Sequence, residues 1–309
     1  MHRTLEIALA PEATEGLLRE LEAAPEVVGL SVRRGASLKP RGDVVTVHVL
    51  NRGADAALRA VAVAQVRGSV SVATAELASL NDPEHQDAID RDVDEAIWEE
   101  LETGLRHQGR VTPNFLLLMA LGGVVATAGL VLDPVSQAIA LIAAAVIAPG
   151  FEPVAKVPLG LVLRRWDVVR LGLVSTLAGY AALTAASAAT FLLLAATTDA
   201  VTAAGFAGNP GVQHVAHPTG TALLISAGGA FAGVVIQAAY RRSVIAGALI
   251  AMRVVDAAAV AGVAAVVGEP GLLLDGLERL GIDVAFIVAA GLLVFGAKQA
   301  FFHRRRPLR

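Results

Sequence analysis

Ala143-Ala144-Ala145-Val146-Ile147-Ala148-Pro149-Gly150-Phe151-Glu152-Pro153-Val154-Ala155-Lys156 is too apolar for a soluble surface and too interrupted for one straight helix. It lies in the middle of an apolar run over 135–163, 29 residues long. A bilayer core takes roughly 20 such residues per helix. Proline lacks the backbone donor and its ring collides with the preceding turn. Pro149, Gly150 and Pro153 therefore predict a break within 148–154. In lipid, broken backbone persists only where protein or a cavity shelters it. Glu152 and Lys156 fall just past the break, four apart, on one helical face.

Outward from this stretch the pattern repeats. Further apolar runs lie near 114–132, 168–196, 219–240, 243–267 and 283–302, giving six expected spans in all. The chain of 309 residues is 55% hydrophobic, and 31 of its 53 Asp, Glu, Lys and Arg side chains fall in residues 1–113. That split excludes a uniform soluble globule and a disordered chain. It predicts three parts: a soluble domain at 1–80, an acidic connecting helix at 81–110, and a six-span membrane domain at 111–309 with a basic tail. With no cysteine, disulfides, zinc-thiolate sites and a cysteine nucleophile are excluded. Residues 2–22 hold no long apolar core, so no signal peptide is expected.

Basic residues orient the spans. With residues 1–113 inside, the inner flanks carry twelve: Arg106, Arg110, Arg164, Arg165, Arg170, Arg241, Arg242, Lys298, Arg304, Arg305, Arg306 and Arg309. The outer loops carry only Arg279. This predicts an even number of spans, both termini cytoplasmic, and an inner (plasma) membrane location.

The two halves of the membrane domain look like copies. Thr112-Pro113-Asn114 opens the first span and His217-Pro218-Thr219 the fourth. Gly122-Gly123 is echoed by Gly228-Gly229, and Ala145-Val146-Ile147-Ala148 by Ala248-Leu249-Ile250-Ala251. Three spans per copy make an inverted 3+3 repeat, a common construction of secondary transporters. Chance recurrence of Gly and Ala strings is the competing reading.

In residues 1–80, alternating stretches at 3–9, 26–34, 43–50 and 69–75 read as strands, and 12–24 and 54–66 as helices. That order is the α+β ferredoxin-like pattern. His48 reads as a surface or packing histidine. Residues 82–106 read as one helix, capped by Asp82 with Pro83 at its first position. Its stripe Ile89, Val93, Ile97, Leu101 and Leu105 either packs on the soluble domain or joins copies into a homo-oligomer.

Four ionisable residues lie inside the expected spans: Glu152 and Lys156 in the second, Arg253 and Asp256 in the fifth. A charge at mid-bilayer costs about 2.5–3.5 kcal/mol on insertion scales, so it is paired or meets water. Two pairs at equivalent places in the repeat make a candidate polar site for a small solute or ion. Alternatively they are self-neutralising pairs that lock the helices.

His214 and His217, with Asp199 upstream, are a weak metal candidate, and none is assigned. No phosphate loop, HExxH motif or serine-histidine-acid set appears, so no enzyme, catalytic residue or cofactor is expected. The arginine tail needs no nucleic acid partner; as an inner flank it fits anionic lipid.

Thr112-Pro113-Asn114-Phe115-Leu116-Leu117-Leu118-Met119, Ala126-Thr127-Ala128-Gly129-Leu130, Ile147-Ala148-Pro149 with Pro153, and Gly160 to Asp167 resemble the domain of unknown function 389 family of prokaryotic membrane proteins. The resemblance covers about 112–300 and is most specific up to Asp167. It implies a multispan protein without established activity, often preceded by a ferredoxin-like or related domain. The sequence departs from the family at Gly150-Phe151-Glu152-Pro153, where small residues and Gly-Pro are usual. It departs again at Ala251-Met252-Arg253-Val254-Val255-Asp256, which lacks the usual proline pair, so the fifth helix is expected to be continuous. The expected function is solute or ion transport regulated by the soluble domain. The alternative is a membrane sensor or scaffold whose soluble domain binds a ligand or partner.

Overall fold

The computed structural model describes residues 2–93, 95–132, 134–239, 252–305 and 307–308. It divides into two compact units, Met1–Leu101 with Phe301–Arg309, and Glu102–Ala300.

The first unit is built on β1 (His2–Leu9), α1 (Pro11–Glu22), β2 (Val27–Leu38), β3 (Arg41–Val49), α2 (Ala54–Arg67) and β4 (Val70–Leu77). The strands form one antiparallel sheet in the order β2-β3-β1-β4. The alternation in β1 sends Leu5, Ile7 and Leu9 to one face. There Leu5 stands opposite Val47 and Ile7 opposite Val45. Leu17 and Leu21 of α1 and Leu58 and Val61 of α2 close this face into a core. The bend in β2 has a local cause. Gly35, at φ +61°, turns its amide to the Asp43 carboxylate (2.8 Å), which also accepts from Thr14. His48 packs over Gly29 and hydrogen-bonds Thr4 at 2.8 Å.

The connecting segment departs from expectation. In place of one helix over 82–106 there are α3 (Gln86–Asp90) and α4 (Trp98–His107), with non-helical residues between them. Buried polar groups hold that interval open. Asp92 accepts from the amides of Asn51 and Arg52, and the Asn51 side chain donates to the carbonyls of Val93 and Glu95. Arg3, 1% exposed, donates to the Glu95 carbonyl and twice to Glu100. A carbonyl spent on Asn51 or Arg3 is not spent on a helical amide. Of the stripe within this unit, Ile89, Ile97 and Leu101 are buried and Val93 is exposed. Packing within the chain thus absorbs most of it.

The tail also belongs to this unit. Arg305 reaches Glu99 through two nitrogens (2.6 and 2.7 Å) and Asp55 through Nε. The His303 ring stands 2.9 Å from Asp55, its carbonyl accepts from the Trp98 indole (3.1 Å), and the Leu308 amide donates to Glu99. Burial raises the Asp55 carboxyl, but His303 and Arg305 outweigh it and hold it below the usual aspartate range. Two side chains of the basic tail are therefore engaged within the protein.

The second unit is helical: α5 (Pro113–Leu130), α6 (Pro134–Ile147), α7 (Phe151–Val162), α8 (Trp166–Thr197), α9 (Ala203–Ala207), α10 (Pro210–Ala216), α11 (Gly220–Ala238), α12 (Val254–Val267) and α13 (Pro270–Ala297). Thr112 and Thr219 cap α5 and α11 by accepting from Phe115 and Ala222. α5, α8, α11 and α13 are long and apolar enough to cross a membrane, and α6 with α7 forms a further candidate bent by 47°. The described residues thus hold four or five candidate spans of a multi-pass membrane protein; residues 243–251 of the expected fifth span, with the echoed Ala248-Leu249-Ile250-Ala251, lie outside them. α8 packs on α5, α7 and α12, and α13 on α7, α11 and α12. α12, apolar apart from Asp256, is buried from Val254 to Ala264.

Two expectations are corrected here. The last long helix begins at Pro270, not near 283, so Arg279 is a helix residue and not an outer-loop charge. Met252 and Arg253 are non-helical and α12 starts at Val254, so the chain is not continuously helical through this point.

Candidate functional site

The site is built around two helix starts. At the first, α6 ends at Ile147 and α7 begins at Phe151. Pro149 cannot donate to the carbonyl of Ala145, nor Pro153 to that of Pro149. Restarting at Phe151 puts Pro153 in the first turn, where amides lack helical partners anyway. Gly150 is required by close approach: a Cβ there would lie 2.7 Å from the Tyr180 hydroxyl, which donates to the Gly150 carbonyl at 3.1 Å. Glu152 occupies the second position of α7, with Oε2 buried and without a hydrogen-bond partner.

Lys156 does not close an ion pair with Glu152, although the spacing allows one. Its fully buried ammonium donates to the Gly109 carbonyl at 2.7 Å and lies 3.5 Å from the Ser175 hydroxyl. A backbone carbonyl accepts an ammonium's hydrogen bond without the cost of holding two flexible side chains together.

At the second start, Arg253 precedes α12 and its Nη1 donates to Asp256 at 3.2 Å. This pair meets as its spacing of three predicts. Asp256 is 4% exposed and its Oδ1 has no hydrogen bond.

A second pair joins it. Arg279 and Asp283, one turn apart on α13, are 1% and 0% exposed and approach to 3.1 Å. Arg279 also donates to Ser226 of α11. Asp283 has the Ser226 hydroxyl and the Arg253 amide beside it, yet neither carboxylate oxygen makes a hydrogen bond. Nε and Nη1 of Arg279 are likewise unused. Asp256 lies within electrostatic reach of Asp283 and Arg279, and Tyr180 within reach of both Asp283 and Glu152. Tyr180 thus links the two helix starts.

The sequence singled out Glu152, Lys156, Arg253 and Asp256 as candidates; the structure adds Arg279, Asp283, Tyr180 and Ser226 beside them, which the sequence did not single out. A signal existed for the first two: an Arg and an Asp four apart, downstream of Pro270 at a helix's first position. Nothing local marks Tyr180 or Ser226. At the weak metal candidate, His217 Nε2 faces Asp275 at 3.3 Å. Among the described residues no three His, Cys, Asp or Glu converge as a metal site would require.

What this arrangement can do chemically is bind a polar or charged group away from bulk water. It offers unused donors on Arg279 and unused acceptors on Glu152, Asp256 and Asp283. Each buried polar group left unmatched costs about 1–3 kcal/mol, and a ligand that matched it would recover that.

No curated protein and no solved structure matches the chain. One family model does, over residues 145–289, and this segment contains every residue of the cluster just described. Residues 145–289 of this chain match the family described as domain of unknown function (DUF389).

Proposed function

We propose that this protein moves a small solute or ion across the inner membrane, with Glu152, Arg253, Asp256, Arg279 and Asp283 forming the polar passage site. It is not an enzyme. The observation carrying this reading is that two helix starts inside the apolar unit each bring charged residues among helices, with buried donors and acceptors unmatched. Structural charge pairs alone satisfy one another; these do not.

The finer architecture belongs to the same proposal. The six spans form an inverted 3+3 repeat in which α6–α7 and the segment ending in α12 correspond. The sheet order β2-β3-β1-β4 supports a ferredoxin-like regulatory domain on the cytoplasmic side. The tail packs in the same unit as the sheet, which supports an even number of crossings with both termini inside. Single cysteines at Ala200 and Val66, both exposed, test this. An impermeant thiol reagent on intact cells should label the first alone.

The test of function is flux. Purified protein in liposomes should show uptake of a solute or ion from a screened panel, lost in Asp283→Asn with Arg279→Met. Uptake that persists in that double variant removes the cluster from the pathway. A sensor or scaffold is the second reading, favoured by the buried tail contacts of Arg305. It predicts ligand-dependent thermal shifts and no flux.

A further inference from the structure

Asp256 and Asp283 each stand against a guanidinium, Arg253 and Arg279 respectively. Glu152 forms no ion pair with any described residue, and its Oε2 is buried without a hydrogen bond. Its nearest cation, Lys156, is committed to the Gly109 carbonyl. Among the described residues, the other elements bring it no positive charge that it feels. α5 and α6 carry no ionisable side chain over their described length. Of the two helices packed on α7, α8 brings Tyr180, and α13 brings Asp283 beyond it.

An isolated carboxylate in such surroundings is far too costly to keep ionised, so it becomes neutral by taking up a proton. We propose that Glu152 is a proton-binding site, neutral in the resting protein. Within the transport reading above, on which this rests for its use, it carries the coupling proton. The step balances simply. A hydronium ion gives one proton to the carboxylate, leaving water and a carboxylic acid, and release reverses this with no redox change.

The depth fits. At about 1.5 Å per residue, α6 and α7 rise about 21 and 18 Å, so a break between them lies near the middle of an apolar layer about 30 Å thick. Glu152 also keeps partial exposure, unlike Asp283, which leaves a route for exchange.

Infrared spectroscopy of the whole protein reconstituted in vesicles tests this directly, at neutral pH in sodium-free buffer. Wild type should show the carbonyl stretch of a protonated carboxylic acid. Glu152→Gln should lose it, while Asp256→Asn and Asp283→Asn should keep it. Because glutamine copies the protonated acid, Glu152→Gln should melt at or above wild type, whereas Asp283→Asn, which strands Arg279, should melt lower. A band surviving Glu152→Gln, no band in wild type, or loss of the band on adding sodium would overturn the proposal. A melting loss in Glu152→Gln as large as in Asp283→Asn would do the same. Absence of flux with the band behaving as described would remove the transport reading and leave the proton site standing.

Discussion

Replacing Arg305 should unfasten the C-terminal tail and weaken the first unit. Its guanidinium is the shared partner of Glu99 and Asp55, whose side chains are 16% and 10% exposed. Arg305→Ala takes the shared guanidinium from both carboxylates and leaves Glu99 inside without it. Removing one partner from a buried pair costs about 3–5 kcal/mol. We take about 3, because Glu99 keeps the Leu308 amide and Asp55 keeps His303. That is roughly a hundredfold in the folding equilibrium. For a unit of this size it means a melting point lower by at least about 10 °C. The chain provides its own reporter. Trp98 is fully buried and bonded to the His303 carbonyl, and the other tryptophan, Trp166, is 72% exposed. In a Trp166→Phe background, urea unfolding of the full chain in detergent can be followed at Trp98 alone. Arg305→Ala should lower the midpoint and shift native Trp98 emission to the red. Adding Asp55→Asn and Glu99→Gln should recover part of the loss, since no orphan charge remains. A change within about 0.5 kcal/mol, the scale of an exposed pair, with unaltered emission would refute the reasoning.

The acid response of the tail follows from the depressed Asp55 carboxyl. A folded value below the unfolded one adds stability above the ordinary aspartate range, about 3.9, and this is lost as pH falls through the folded value. Asp55 should therefore hold the tail throughout pH 5–8 and release it only in stronger acid, which Trp98 emission against pH will show. Arg3→Met should cost about 3 kcal/mol in the first unit, with amides around residues 95–97 exchanging faster with deuterium. Gly262→Ala should lower the melting point of the detergent-solubilised protein, because its Cβ would lie 2.4 Å from the Thr184 carbonyl. Gly228→Ala, with nothing within 4 Å, should be neutral or raise it slightly.

The sheet unit was legible because its information is local. Alternation in Leu5-Glu6-Ile7-Ala8-Leu9 and the spacing of Leu17, Leu18 and Leu21 set which side faces inward, whatever the rest of the chain does. The connecting segment was not. Locally, 82–106 has good helix formers and a periodic stripe, but Arg3 and Asn51, distant in sequence, take carbonyls a continuous helix would need. Hydropathy also hid the start of α13. Asp275, Glu278, Arg279 and Asp283 make 275–283 look like a loop, yet the Arg279–Asp283 pair is fully enclosed.

The two helix starts show the same division within one site. The α6–α7 break is encoded where it occurs, since Pro149 and Pro153 cannot donate. The non-helical step at Met252 and Arg253 has no proline, and from its own residues a continuous helix was the reasonable expectation. Its determinants lie elsewhere. The Asp283 carboxylate stands beside the Arg253 amide, and the Arg253 side chain turns to Asp256. An acidic group near the first amides of a helix favours a start there, through the positive end of the helix dipole. One helix start is thus written in covalent geometry and the other in electrostatics contributed from about thirty residues downstream. The second should accordingly depend on charge. Asp283→Asn should loosen the start of α12, seen as faster deuterium exchange at Val254–Ala257, while leaving the Pro149 break unchanged. Equal protection in both proteins would mean that Asp283 does not set this helix start.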